Sequence, residues 1–216
     1  MTFAPLGEEA VLAYLPDEAA AVRFADAVRS AAPAWLQDVV PAYASVGVFF
    51  DADAIRTADV IGWLKKNGAR RGKAAEPRSH VIPVSYDYDL DLPRIAEHTG
   101  LTAEQVIEKH LAGEYAVYAI GFVPGFPYLG YLADELCGVP RLPSPRIRVE
   151  PGSVGLTGKQ TGIYPLARPG GWNLIGRTPL ELVDVADGYF PLRVGDAVKF
   201  QRIDEGEYRE LDGERL

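Results

Sequence analysis

Between Gly121 and Thr178 the chain carries 11 of its 22 glycines and 8 of its 17 prolines within 58 residues. Glycine reaches positive φ without penalty, and proline fixes φ while removing a backbone donor, so this density predicts tightly specified turns between short strands. The residues between the turns, among them Phe122, Phe126, Tyr128, Leu129, Val154, Ile163, Trp172 and Ile175, are too apolar for a disordered linker. The stretch therefore reads as a folded, all-β region with shaped loops.

Charge singles out the same region. From Arg141 to Thr178 six basic residues (Arg141, Arg146, Arg148, Lys159, Arg168, Arg177) face Glu150 alone, a local charge of +5 in a chain whose total is −8. A cationic island in an acidic protein points to a small anionic ligand or an acidic partner surface, whereas solvated arginines on separate turns are the plain structural alternative. The acidic balance excludes a general nucleic-acid binder, which needs a broad basic face. The N-terminal residues lack a basic segment followed by an apolar one, and no uncharged apolar run of about 18 residues occurs, so neither a signal peptide nor a membrane span is expected. One cysteine, Cys137, excludes an internal disulfide framework and fits a cytoplasmic setting.

Residues 1–86 read as a compact α+β unit. Strands are expected at Ala10–Leu15, Leu36–Pro41, Tyr43–Phe50 and His80–Tyr86. Helices are expected after Asp17 and after Asp53, each begun by a carboxylate suited to capping, the second stopping at Asn67–Gly68. A polar segment, Arg70 to Ser79, precedes the last strand. The order β-α-β-β-α-β is that of a ferredoxin-like fold. Residues 87–216 then form the second domain: two short helices, from Pro93 to Thr99 and from the capping box Thr102-Ala-Glu-Gln105 to Gly113, lead into the β region. Leu180–Ala186 and Ala197–Gln201 are expected strands, and the charged tail from Asp204 is expected to fray. His110, four residues after Val106, lies on or beside an apolar helix face, where a hydrogen-bonded core histidine is commoner than a catalyst.

Familiar catalytic motifs fail. Gly152-Ser-Val-Gly-Leu-Thr-Gly158-Lys159 misses the phosphate-binding loop, because Gln160 follows the lysine and an all-β context denies the helix N-terminus that binds phosphate. Pro151-Gly-Ser153-Val-Gly155 misses the nucleophile elbow at its first position. His80, His98 and His110 have no metal-ligand spacing.

The strings GFVPGFPYLGYL, PRIRVEPGSVG and GKQTGIYPLARPGGWNLIGRT resemble the signature of the KipI/PxpB family. That family includes the PxpB component of bacterial ATP-dependent 5-oxoprolinase and is also called allophanate hydrolase subunit 1 or a carboxyltransferase-domain subdomain. Weaker similarity extends through IPVSYDYDLDLP, TAEQVIEKHL and RVGDAVKF. Lys159 and the acidic loop Tyr86-Asp-Tyr-Asp-Leu90 depart from the family pattern. The resemblance implies a ferredoxin-like α+β domain followed by a cyclophilin-like β-barrel, without implying prolyl isomerase activity. It also implies a PxpC/KipA-type partner and a PxpA-type partner, with ATP used by the complex to convert 5-oxo-L-proline to L-glutamate. Two other roles share the signature: a KipI-like inhibitor of a sensor histidine kinase, and half of a urea or allophanate carboxyltransferase-like module. Within the matching motifs, Arg146 and Arg177 are the candidate grip on a carboxylate or phosphate. Gln160, Thr161 and Tyr164 are candidates to orient an amide, and Gly170 and Gly171 to offer backbone N–H groups at close approach. His110 matches a family histidine and becomes a candidate acid/base or hinge.

Overall fold

The computed structural model describes residues 1–68, 76–88 and 90–216. Arg70–Ala75 of the polar segment and Asp89 of the acidic loop lie outside the described residues. The chain divides into two compact units, Met1–Pro77 and Arg78–Leu216.

In the first unit the elements run β1 (Thr2–Pro5), β2 (Ala10–Tyr14), α1 (Glu18–Ala31), β3 (Leu36–Ala42), β4 (Ser45–Phe50) and α2 (Thr57–Asn67). The strands pair antiparallel in the order β1-β2-β4-β3, with Val11 opposite Val48 and Val48 opposite Val39. Alternation puts Val11, Ala13, Val46, Val48 and Phe50 on one face, where they pack with Phe24 and Val28 of α1 and Val60 and Leu64 of α2. Each such side chain removed from water contributes roughly 1.5–3 kcal/mol. Asp17 caps α1 as expected, its Oδ1 accepting from the Ala20 N–H at 2.6 Å. Asp53 does not cap α2. It sits in the preceding turn, donating its backbone N–H to Asp51, and the helix starts after Arg56 without a side-chain cap. Gly68 does end α2, but it is helical in φ, and a Cβ there would lie 2.1 Å from the Phe24 ring. Packing, rather than a left-handed cap, requires the glycine.

The strand expected to complete this unit, β5 (Ser79–Val84), pairs in parallel with β13 (Ala197–Arg202) of the second unit. The division therefore falls before β5 rather than after Tyr86, and β-α-β-β-α-β is not the order of the first sheet. A four-residue connection lets β1 take the edge beside β2 at small loop-closure cost.

The second unit continues from β5 through α3 (Leu92–Thr99), α4 (Ala103–Ala112), β6 (Glu114–Ile120), β7 (Pro127–Gly130), β8 (Arg146–Val149), β9 (Ser153–Thr157), β10 (Gln160–Ile163), β11 (Arg168–Gly170) and β12 (Asn173–Arg177) to β13 and α5 (Glu205–Glu210). Seven strands follow the path β5-β13-β6-β7-β10-β9-β12. Just beyond β5, Ser85 exchanges both backbone hydrogen bonds with Arg177, at 2.9 and 2.8 Å, so the path returns to its own start. Closure removes the exposed edges that an open sheet would present. Strands β8 and β11 form a separate pair. Inside, Ile82, Val117, Leu129, Leu156, Ile163 and Phe200 pack with Ile95 of α3 and Val106 of α4. The capping box of α4 is complete, with Thr102 and Gln105 bonding reciprocally at 2.9 and 3.2 Å.

Two expectations for this unit are overturned. Leu180–Ala186 is not a strand; it makes only single bridges, Glu181 with Arg215 and Asp184 with Tyr189. The segment from Asp204 is ordered as α5, because Asp204 and Glu207 form a capping box and Arg215 beyond it binds Glu181, Asp184 and Asp187. No helix among the described residues is long and apolar enough to cross a membrane.

Candidate functional site

Arg146 and Arg177, 31 positions apart in sequence, line one groove of about 160 Å³ with Tyr88, Arg148, Glu150 and Leu174. The connection from β8 into β9 brings them together, because β9 pairs with β12. Arg177 ends β12, opposite Ser153 of β9, and Arg146 opens β8. The turn that carries the chain from β8 into β9 passes through Gly152, at φ +80°, where a Cβ would stand 2.2 Å from the Thr178 carbonyl. Only glycine lets this turn approach the chain just beyond β12.

Each arginine is oriented by one hydrogen bond. Arg146 Nη2 donates to Asp91 Oδ1 at 2.8 Å, while Asp91 Oδ2 accepts from the Leu174 backbone N–H at 2.6 Å. Arg177 Nε donates to the Pro151 carbonyl at 3.0 Å, and its guanidinium lies 5.7 Å from the Tyr88 ring centroid. Arg148 grips Glu150 in bidentate fashion at 2.6 and 3.0 Å, and this bond holds the Glu150 carboxyl pKa below its ordinary value. Glu150 also stands 4.0 Å from Arg177. The island of positive charge read from the sequence is therefore tempered: among the described residues, three guanidinium groups meet two carboxylates in and beside the groove.

Asp91 is not among the sequence candidates. It occupies the N-cap of α3 yet makes no cap bond, and the second helical residue is Pro93, which has no N–H to offer. Its carboxylate turns to β12 and Arg146 instead. An Asp two residues before a proline at a helix start is the signal that points to it. Arg94 reinforces the same junction, donating to Asn173 Oδ1 at 3.0 Å.

His110 lies elsewhere, sealed in the core with no exposed surface. Its Nδ1 meets the Tyr86 hydroxyl and its Nε2 meets Thr161 Oγ1, both at 2.9 Å. Since Thr161 donates its proton to the Gly155 carbonyl at 3.0 Å, its oxygen accepts from Nε2–H, and Nδ1 accepts from Tyr86. The neutral tautomer thus satisfies every group along this line of hydrogen bonds. Burial pushes the imidazole pKa down to about 3 and the Tyr86 phenol up. Phe200 stacks on the ring at 4.5 Å. The histidine and Thr161 come together as a core network, apart from the arginine groove.

A second groove, of about 280 Å³, is lined by Phe122, Tyr128, Arg141, Tyr164, Gly170 and Trp172. Tyr164 is buried, and burial raises its phenol pKa. A Cβ on Gly170 would lie 2.4 Å from the Tyr164 hydroxyl, so that glycine makes room for the ring. Gly171 lines the same groove, while Gln160 begins β10 with its backbone paired to Thr157 and Gly130. The eight sequence candidates therefore fall into an arginine groove, an aromatic groove, a core network and a strand end. The segment resembling a phosphate loop is a hairpin, β9 turning at Gly158-Lys159 into β10, with no helix behind it. Cys137 is half-buried, and burial raises its thiol pKa, so it lacks the thiolate character of a nucleophile.

Comparison with known proteins places this geometry in context. The family model described as carboxyltransferase domain, subdomain C and D matches residues 1–190. The chain is 49% identical over 139 residues to a 5-oxoprolinase subunit of type B from Escherichia coli O157:H7, covering 62% of this chain and 63% of that one. It is 48% identical over 130 residues to the 5-oxoprolinase subunit of the same type from Bacillus subtilis strain 168, covering 59% of this chain and 54% of the other. Each match thus spans less than two thirds of the relative's length. A crystal structure of TTHA0988 superposes with a TM-score of 0.78 at 36% identity, over 90% of this chain and 39% of that one.

Proposed function

The chain belongs to the carboxyltransferase domain, subdomain C and D family, and from that premise we propose that it is the PxpB-type subunit of an ATP-dependent 5-oxoprolinase. In this reading it works in the cytoplasm with a PxpC/KipA-type and a PxpA-type subunit to hydrolyse the lactam of 5-oxo-L-proline to L-glutamate, and it is inactive alone. Its second unit serves as a cyclophilin-like barrel. The observation that carries the reading is the near-50% identity to 5-oxoprolinase subunits of type B.

The residues suit that task in a limited way. A lactam amide is a poor electrophile, and ATP supplies the activation in the assembled enzyme. The hairpin at Gly158-Lys159 does not fit the nucleotide, since it lacks the helix N-terminus that cradles phosphates, and no step through ATP is assigned to this chain. What the chain contributes is orientation: Arg146 and Arg177 bind an anionic group on the substrate, and His110 acts through packing, by holding Tyr86 beside the strand that carries Arg177. His110 is thereby a positioning residue. Tyr164, Gly170 and Gly171 shape the neighbouring aromatic groove, and Gln160 and Thr161 support the β9–β10 hairpin.

The test is 5-oxo-L-proline-dependent ATP hydrolysis by the three subunits, each omitted in turn. Activity is expected to vanish without this chain. Undiminished activity in its absence overturns the reading.

A further inference from the structure

We infer that the groove between β8 and β12 is a subsite for a planar monocarboxylate rather than for phosphate, with Arg177 and Arg146 as its donors; the choice of probe below rests on the 5-oxoprolinase reading.

The arginines of this chain are not equally satisfied. Arg215 is held by three carboxylates, Glu181, Asp184 and Asp187, at 2.6–2.9 Å, and Arg148 by both oxygens of Glu150. Those guanidinium groups hold structure together. Arg146 makes one side-chain hydrogen bond, and its Nη1 is buried with no hydrogen-bond partner among the described residues. Arg177 makes one as well, to a neutral carbonyl, and Glu150 reaches it no closer than 4.0 Å. Their side chains are 26% and 25% exposed, so both keep surface toward the groove, and Arg146 Nη1 is the one guanidinium nitrogen buried without a partner among the described residues. Leaving charged donors unpaired is costly, and a site selected for stability alone would supply acceptors. The oxygens of an entering anion are the acceptors that this pair lacks.

Charge and size choose the anion. Among the described residues, three guanidinium groups and two carboxylates in and beside the groove leave a net charge of +1, which favours a monoanion. A phosphate dianion or a triphosphate would carry surplus negative charge up against Glu150. A carboxylate is planar and matches the guanidinium fork. The groove's volume, about 160 Å³, lies below the roughly 300 Å³ at which drug-sized ligand pockets begin, so a small acid fits and a nucleotide does not. Leu90, Val149 and Leu174 give the walls an apolar surface for the body of such an acid.

Calorimetric titration of the full chain alone, with 5-oxo-L-proline, its uncharged carboxamide, inorganic phosphate and ATP, tests this. The acid is expected to bind saturably, with the carboxamide and the Arg177→Met variant each weaker by roughly tenfold or more, the loss of one charged hydrogen bond. Phosphate and ATP are expected not to displace it. Arg146→Lys, which keeps a cation beside Asp91 and so guards against misfolding, is expected to weaken binding while the melting curve stays near that of the parent. Absence of acid binding, equal binding of the carboxamide, displacement by phosphate or ATP, or an unchanged Kd in Arg177→Met overturns the subsite. Arg177-dependent acid binding without activity in the reconstituted enzyme would leave the subsite standing and remove the 5-oxoprolinase reading. Activity without such binding would do the reverse.

Discussion

A histidine closed off from water, as His110 is, titrates against its own fold. In the folded chain its pKa is depressed to about 3, whereas an unfolded histidine takes up its proton near pH 6.5. Below about pH 6.5 the unfolded state therefore binds the extra proton, and stability contributed by the neutral imidazole is present above that pH and lost progressively as pH falls toward 3. The slope from this one group approaches ~1.4 kcal/mol per pH unit. His110→Gln, which keeps a donor for Thr161 and an acceptor for Tyr86, is expected to flatten the acid limb between pH 6 and 4 in urea-unfolding midpoints. An acid limb as steep as the parent's would show that other groups set it. The apolar face of α4 makes the buried reading of His110 visible in the sequence, because Val106 and Ile107 mark that face by helical spacing. Arg146 is visible as a basic residue in a Gly/Pro motif and Asp91 as an acidic residue at a helix start, but their pairing is not: they lie 55 positions apart, and only the fold brings the two together.

At the scale of elements, short-range chemistry is legible wherever the decisive contacts lie within one turn. Asp17 and the Thr102–Gln105 box are of that kind, with both ends of each hydrogen bond three residues apart. The strand β5 is recognisable from His80-Val-Ile-Pro-Val, yet its sheet is not, since an alternating apolar pattern states which face is buried and says nothing of which strand lies alongside. The tail misleads for a different reason. Its charges look like a solvated end, but Asp204 and Glu207 cap α5 and Arg215 reaches back to three carboxylates. Asp204→Ala is expected to cost α5 about 1 kcal/mol, read as faster amide exchange over Glu205–Glu210 with β13 unchanged. Equal exchange rates in both proteins would show that the Arg215 contacts alone hold the helix.

Across the molecule, the legible part is composition: half the glycines in 58 residues announce turns and short strands, and the second unit is built that way. Closure is not legible, because it depends on Ser85 and Arg177, 92 positions apart and unremarkable as a pair in sequence. If the seam is closed in solution, the amides of Ser85 and Arg177 exchange as slowly as those within β9 and β12. Rapid exchange at those two amides, with β9 still protected, would show the sheet to be open. Arg177 thus does two jobs with separate parts of itself. Its main chain fastens the seam, a task any residue other than proline can perform, while its side chain meets the groove. Substitution at this position can therefore change the lining of the groove while the main-chain seam stays fastened.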